Sequence, residues 1–170
     1  MIWQYGSNMD RQRLNGPDRL NGVAEFAGLA TKHSFSLIFL RSNQRGIGTA
    51  SIARSHDDDY VVGVLYWIPN EALERMDEIE GVLTGSYWRA EHFELETLSK
   101  NRTNAVTDPI EATTYIANEQ PGVHRTNPSY ANHILQGILD SQMGLEYFSR
   151  VRDIILRNNP SLERRLIQAD

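Results

Sequence analysis

The chain has 170 residues, a formal net charge of -5 at pH 7 and no cysteine. A chain of this length predicts one domain with an ample hydrophobic core. The acidic charge argues against a general nucleic-acid partner, and the absence of cysteine excludes disulfides, zinc–thiolate sites and a cysteine nucleophile. The longest apolar run, residues 60–68, is too short to cross a bilayer, and no signal peptide is recognisable. We therefore expect a cytoplasmic protein without a membrane partner.

The first predicted elements are a strand over residues 1–5 and a helix over residues 9–14, joined by a glycine-containing turn. Gly6 can adopt a positive φ, and Ser7 and Asn8 favour turns and helix N-caps. A strand that leads through such a turn into a helix directs several backbone N–H groups at one point, which suits a carboxylate or an oxyanion. Such residues also form ordinary connecting turns, so the pattern alone leaves both interpretations open.

Short segments of alternating or β-branched apolar residues then predict a series of strands separated by polar turns. Residues 99–109 lack periodicity and are expected to form a surface loop. The acidic turn at residues 55–59 does not predict a metal, because a cation site needs ligands that converge from several positions. The five histidines also lack metal-ligand spacing, so we expect no metal site. The predicted strands cover residues 23–29, 31–40, 49–53, 60–68, 86–95 and 110–117.

Residues 70–80 are predicted to form one helix that ends at Gly81. At about 100° per residue, Leu73 and Met76 mark its apolar face, and Glu80 projects between them. A carboxylate on a buried face loses hydration, so its pKa rises and it can exchange protons near neutral pH. The alternative is that Glu80 lies in a frayed last turn and is solvated.

Two helices dominate the C-terminal part of the predicted structure. The first is expected over residues 130–140 with Ser129 as its cap, and the second over residues 145–158. After Pro160, residues 161–170 are expected to continue as a short charged helix. Because strands come first and helices mostly last, the order favours an α+β domain with a twisted or closed sheet over a doubly wound fold. No G-x-G-x-x-G or P-loop motif occurs, and we expect no nucleotide cofactor.

The sequence offers few groups for catalysis. The sequence contains no Gly-x-Ser-x-Gly nucleophile elbow, so no motif indicates a serine nucleophile. The remaining candidates are Glu80, the turn after the first strand that could bind an anion, and Tyr130. A tyrosine is more commonly a half-buried structural anchor than a functional residue. This set suits an enzyme whose nucleophile belongs to the substrate. Such an enzyme only has to hold the substrate curled, bind its charges and move one proton.

In several short segments the chain resembles the γ-glutamylcyclotransferase family. The match runs in order over most of the chain, to about Phe148. The resemblance implies one domain over residues 1–170, a small mixed β-barrel flanked by helices, with residues 149–170 as a helical extension without an assigned role. It also implies a cavity where the loop after the first strand faces Glu80. The matching segments are Tyr5-Gly6-Ser7-Asn8-Met9, residues 63–67, Met76-Asp77-Glu78-Ile79-Glu80-Gly81, Tyr87-x-Arg89, residues 112–115 and Pro128-Ser129-Tyr130.

Carried over by position, the resemblance makes Glu80 the general acid/base and Tyr130 a lining residue of the substrate pocket. The implied reaction is an intramolecular aminoacyl transfer, of the acyltransferase or lyase type, without a metal or a cofactor. The α-amine of a small-molecule γ-glutamyl compound attacks the γ-carbonyl and releases 5-oxoproline with an amine or an amino acid. Glu80 takes a proton from the α-ammonium and returns one to the leaving nitrogen. The implied substrate-binding loop comprises Tyr5, Gly6, Ser7 and Asn8.

The resemblance leaves several alternatives open. A small residue usually precedes the loop tyrosine in this family, whereas Gln4 stands there in this chain, and this difference bears on substrate fit. The same pocket also suits a non-catalytic module that binds an amino-acid-like ligand, or an enzyme that removes a γ-glutamyl group from a larger biosynthetic intermediate. Both a monomer and a homodimer agree with the sequence.

Overall fold

The structure, a computed structural model that describes residues 1–98 and 109–169, contains seven strands and four α-helices within these ranges. The strands are β1 (Ile2–Gln4), β2 (Glu25–His33), β3 (Phe35–Ser42), β4 (Gly48–Arg54), β5 (Tyr60–Trp67), β6 (Tyr87–Thr97) and β7 (Pro109–Ala117). The α-helices are α1 (Arg11–Leu14), α2 (Ala72–Glu80), α3 (Pro128–Asp140) and α4 (Leu145–Asn158). Short 3-10 turns cover Ser7–Met9 and Pro160–Leu162.

Five of these strands close into a barrel in the order β1–β5–β2–β6–β7, and β3 and β4 form a separate two-stranded sheet. Neighbours in the barrel are antiparallel except β1 and β7, which run parallel with Ile2 opposite Thr113. Closure pairs the edges that an open sheet would expose. The predicted α+β class and small mixed barrel flanked by helices are confirmed. The barrel also fixes β1 between β5 and β7, and β1 leads directly into the loop at residues 5–8.

The start of the barrel is anchored by Trp3. This side chain is fully buried, and its Nε1 donates a hydrogen bond to the carbonyl oxygen of Ala30 at 3.2 Å. Strand β5 passes so close that a Cβ added at Gly63 would lie 2.4 Å from Trp3 Nε1. Only glycine leaves room for the indole at this position. The packing therefore holds the end of β1, and the loop that follows it, in a fixed place.

Two of the predicted boundaries in the first half of the chain change for reasons that the structure shows. The helix expected over residues 9–14 begins only at Arg11, because Asp10 is its N-cap and accepts a hydrogen bond from the backbone N–H of Arg13 at 3.0 Å. The break between the second and third predicted strands lies at Ser34, which has a φ of 58°, and not at Ala30. Residues 30–33 instead extend β2 against β5.

The three longer helices agree with the prediction except that α2 begins two residues later and α3 two residues earlier than expected. Gly81 ends α2 in the left-handed conformation, with a φ of 68°. The cap of α3 is Asn127 and not Ser129, because the Asn127 side chain accepts from the backbone N–H of Tyr130 at 2.9 Å and Pro128 begins the helix. Helix α4 covers the predicted residues 145–158.

The predicted charged helix at the C-terminus does not form over residues 161–169. A single 3-10 turn covers Pro160–Leu162, and irregular turns follow it. Leu162 and Leu166 are buried. These leucines give the tail an apolar anchor that a charged, solvated helix would not need. The predicted surface loop at residues 99–109 lies outside the described residues, except for Pro109 at the start of β7. No helix in the described parts of the chain combines the length and apolar character that crossing a membrane requires.

Candidate functional site

A cavity of about 560 Å³ opens where the loop after β1 faces the end of α2. The structure brings all six predicted site residues to its wall, from three distant parts of the chain. The loop supplies four of them, α2 supplies Glu80 and α3 supplies Tyr130. The volume is in the range of small-molecule sites. The loop residues at the wall are Tyr5, Gly6, Ser7 and Asn8.

Glu80 is held at the last position of α2 by a well-formed helix end. The backbone N–H of Gly81 donates to Glu78 at 3.1 Å and that of Val82 donates to Asp77 at 2.9 Å, so the last turn is not frayed. The side chain reaches the cavity, where Glu80 Oε1 accepts a hydrogen bond from Asn8 Nδ2 at 2.7 Å. The helix end therefore points one carboxylate at the loop.

The cavity raises the pKa of Glu80 above its ordinary value, because burial removes water from the carboxylate. The positive charge of Arg19, the hydrogen bond from Asn8 and the charge of Arg13 oppose this rise. Burial outweighs them, so the carboxyl gains and loses a proton more readily near neutral pH than a solvated glutamate does. Proton transfer is the chemistry that this environment supports.

Two arginines line the cavity beside the loop and form hydrogen bonds with its side chains. Arg19 Nη1 donates to Asn8 Oδ1 at 2.7 Å, which fixes the orientation of the amide that bonds Glu80. Arg13 Nε donates to Ser7 Oγ at 3.2 Å. Burial lowers the pKa of Arg19. The sequence analysis did not single out these residues, and their position within twelve residues of the glycine turn was the available signal.

Tyrosine hydroxyls connect the elements that surround the cavity. The Tyr5 hydroxyl donates to the carbonyl oxygen of Tyr115. The Tyr130 hydroxyl accepts from the backbone N–H of Ala50 at 3.0 Å, and that of Tyr87 donates to the carbonyl oxygen of Ala50 at 2.8 Å. Burial raises the pKa of Tyr5, Tyr87 and Tyr130, so these hydroxyls stay protonated. The wall therefore offers neutral polar groups beside the Glu80 carboxyl.

Helix α3 lies close to the loop. A Cβ at Gly137 would lie 2.5 Å from the Cβ of Met9, so the glycine permits the approach. One turn after Tyr130, His133 Nδ1 lies 2.6 Å from Asp10 Oδ2 and also lines the cavity. These contacts tie the 3-10 turn that follows Gly6 to the helix carrying Tyr130.

Arg89, which belongs to the matching segment Tyr87-x-Arg89, pairs with two carboxylates. Its guanidinium lies 2.8 Å from Asp77 Oδ2 and 2.7 Å from Glu91 Oε1. The Tyr115 hydroxyl donates to Asp77 Oδ1 at 2.9 Å. Asp77 thus fastens α2 to β6 and β7, one turn before Glu80. In the described residues, no group of three acidic or histidine side chains converges as a metal site would require.

The comparisons with known proteins agree on the fold. A protein described as "Gamma-glutamyl cyclotransferase" superposes with a TM-score of 0.75 at 25% identity, covering 89% of this chain and 85% of that one. The uncharacterized protein loc79017 from Homo sapiens gives 0.74 at 26% identity, with the same coverage of 89% and 85%. A yeast γ-glutamyl cyclotransferase specific to glutathione gives 0.60 at 15% identity over 92% of this chain and 95% of that one, a likeness in fold alone.

The sequence comparisons identify the family. No curated protein matches the chain significantly. The model of the AIG2-like family matches residues 60–151, which is more than half of the sequence. This segment contains Glu80 and Tyr130, while the loop at residues 5–8 precedes it. With a γ-glutamylcyclotransferase-like barrel and this match, the chain belongs to the AIG2-like family.

Proposed function

We propose that this protein is a metal-independent γ-glutamyl cyclotransferase in which Glu80 is the general acid/base. The α-amine of a γ-glutamyl compound attacks its own γ-carbonyl carbon, and a ring C–N bond forms. Glu80 accepts a proton from the α-ammonium and donates it to the leaving nitrogen as the amide C–N bond breaks, and the second proton that the ring nitrogen loses protonates the released amine. The products are 5-oxoproline and an amine or an amino acid, and the carboxylate is regenerated.

The observation that carries this proposal is the position of Glu80. Its carboxyl lies in a cavity, 2.7 Å from Asn8 Nδ2, and burial raises its pKa. A carboxyl with a raised pKa suits a role that alternates between base and acid. The rate of ring closure within one molecule increases strongly when the reacting groups are oriented. A single well-placed acid/base group is therefore sufficient for catalysis. The likeness to a protein described as "Gamma-glutamyl cyclotransferase" supports the choice of reaction.

In the proposed reaction, the part of the cavity beside the loop binds the γ-glutamyl group. Arg13 and Arg19 line this end and attract the α-carboxylate of the substrate. The substrate's reacting amine is thereby directed toward Glu80. The neutral hydroxyl of Tyr130, which accepts a hydrogen bond from the backbone N–H of Ala50, is available to donate to the carbonyl oxygen of the substrate as negative charge develops there.

The test is the variant Glu80→Gln with γ-glutamyl-L-alanine as substrate and 5-oxoproline measured by mass spectrometry. We expect kcat to fall by at least about 100-fold, since a positioned acid/base contributes about 10²–10⁴-fold. The matched control is Glu74→Gln, an exposed residue of the same helix that should keep full activity. Near-normal turnover by Glu80→Gln would overturn the assignment. If the wild-type protein binds the compound without releasing 5-oxoproline, the protein is a non-catalytic binding module instead.

A further inference from the structure

The cavity is positively charged although the whole chain is acidic. Four arginines line it, whereas the carboxylates at its wall are Glu78 and Glu80. Glu78 is already paired, with Arg75 Nη1 at 2.6 Å from its Oε2. The formal charge of the complete chain is -5, so the concentration of arginine at this one place is a local feature. It indicates a ligand with more than one negative group. The four arginines are Arg13, Arg19, Arg41 and Arg45.

These arginines come from two different parts of the wall. Arg13 and Arg19 contact Ser7 and Asn8 of the loop after β1. The second pair belongs to β3 and to the turn between β3 and β4, within the separate two-stranded sheet. The proposed reaction already accounts for the first pair, which receives the α-carboxylate of the γ-glutamyl group. The proposed reaction assigns no group of the substrate to the second pair of arginines.

Arg41 is fixed in place by neutral groups. Its Nη1 donates to the carbonyl oxygens of Ser86 at 2.6 Å and of Gly85 and Asn118 at 3.3 Å each. The guanidinium also lies 6.0 Å from the centre of the Tyr87 ring. Across residues 1–98 and 109–169, no carboxylate lies within 4 Å of it. The Arg41 side chain is therefore held in one orientation by hydrogen bonds. Its positive charge is not neutralised by a carboxylate of the described residues.

The turn that carries Arg45 is ordered by its own hydrogen bonds. Asn43 Oδ1 accepts from the backbone N–H groups of Arg45 at 2.9 Å and Ile47 at 3.1 Å, and Gly46 takes a φ of 73°. The Arg45 side chain lines the cavity and is exposed. Among the side chains that the structure describes, its guanidinium has no ion-pair partner. It adds a second positive charge on the same side as Arg41.

We infer that Arg41, assisted by Arg45, binds a carboxylate on the leaving group, so that the enzyme prefers γ-glutamyl amino acids to γ-glutamyl amines. This inference rests on the proposed function. A γ-glutamyl amino acid carries two carboxylates separated by the amide bond that is cleaved. One carboxylate fits the arginines beside the loop, and the other fits the arginines of the β3–β4 sheet. Two charged contacts of this kind stretch the substrate across Glu80.

The decisive comparison uses two substrates that differ only in the carboxylate. γ-Glutamyl-L-alanine and γ-glutamylethylamine share every other heavy atom of the leaving group. A charge-assisted hydrogen bond to a carboxylate contributes about 1.5–3 kcal/mol, so we expect wild-type kcat/KM to favour the alanine compound by about 10- to 100-fold. In Arg41→Gln this ratio should fall by about 10-fold or more, mainly through a higher KM for γ-glutamyl-L-alanine.

Three further variants separate recognition from general damage. Arg41→Lys keeps the charge and should restore part of the preference. Arg45→Gln removes an exposed side chain that forms no ion pair with the described residues, and it should lower the ratio by a smaller factor, even if Arg41→Gln folds poorly. Arg54→Gln removes an exposed arginine of β4 that does not line the cavity, and it should leave the ratio unchanged.

Calorimetric binding of the same two compounds to Glu80→Gln gives a readout that does not depend on turnover. Tighter binding of γ-glutamyl-L-alanine, lost when Arg41→Gln is added, supports the inference. If the wild-type enzyme turns over both compounds equally, and Glu80→Gln with its arginines intact binds both equally, the inference about Arg41 is wrong. The proposed reaction still stands in that case. Release of no 5-oxoproline from either compound overturns the proposed reaction, and the binding ratio then still decides whether Arg41 recognises the carboxylate.

Discussion

Asn8 links the Glu80 carboxylate to the positive charge of Arg19. Its Nδ2 donates to Glu80 Oε1 and its Oδ1 accepts from Arg19 Nη1, both at 2.7 Å. The side chain is buried, so the two hydrogen bonds do not compete with bulk water. Because the bond to Glu80 favours the charged carboxylate, it limits the rise in pKa that burial causes. One amide thus holds the proposed acid/base in position and contributes to its pKa.

Replacement of Asn8 by alanine should disturb this balance in a predictable direction. Loss of the hydrogen bond favours the protonated form, so the pKa of Glu80 rises further. We expect kcat/KM to fall by about 10- to 100-fold, and the acid limb of its pH profile to move to higher pH. The profile is measured with γ-glutamyl-L-alanine from pH 4 to pH 9. Asn70→Ala, an exposed change before α2, is the control, and an unmoved acid limb in Asn8→Ala would contradict the role given to Asn8.

At the scale of elements, Asp59 connects the two-stranded sheet to helix α4. Its carboxylate accepts hydrogen bonds from Ser36 of β3 at 2.8 Å, from Ser55 in the turn after β4 and from Arg150 of α4. These bonds lower the pKa of Asp59 to about 2. The acidic turn at residues 55–59 therefore includes a structural link, while Asp57 and Asp58 are exposed as solvated charges.

We expect Asp59→Asn to lower the free energy of unfolding at pH 7 by about 1–2 kcal/mol, since an amide cannot replace the charge-assisted contacts. The folded-state pKa lies below the ordinary aspartate value of about 4. The wild-type advantage is therefore present above about pH 4 and is lost as the pH falls toward 2. Urea unfolding at several pH values measures the difference, with Asp58→Asn as the control. A pH-independent difference would show that the charge of Asp59 contributes nothing.

Local patterns in the sequence predict elements whose boundaries depend on near neighbours. Helix α2 ends at Gly81 and α4 covers residues 145–158 as expected, because a glycine stop and an apolar stripe are local signals. Strand β6 shows the limit of such patterns. Alternation places Phe93 on the same side as Tyr87, but a bulge between Ala90 and Phe93 interrupts the register with β7. A bulge depends on pairing with a distant strand, so the alternation of one strand does not reveal it.

At the scale of the whole molecule, the cavity is assembled from segments that the barrel brings together. Glu80 and Tyr130 lie within the segment that matches the AIG2-like family, while the loop at residues 5–8 and the four arginines of the wall precede it. The predicted residues could be found because short motifs mark them. Arg41 and Arg45 carry no motif, and their position at the wall follows only from how the β3–β4 sheet packs beside the barrel. The concentration of positive charge at the cavity is therefore a property of the assembled fold.

This charge arrangement predicts that small dicarboxylates stabilise the protein while neutral analogues of the same shape do not. Glutarate at ten times its Kd should add about 1.4 kcal/mol to the free energy of unfolding. For a chain of this size, that corresponds to a rise in Tm of about 3–6 °C. Glutaramide is the matched neutral compound and should leave Tm unchanged, and Arg19→Gln should reduce the glutarate effect because it removes a charge beside the loop. Equal shifts with glutarate and glutaramide, measured by differential scanning fluorimetry, would mean that the arginines serve packing and hydrogen bonding within the protein instead of attracting an anionic ligand.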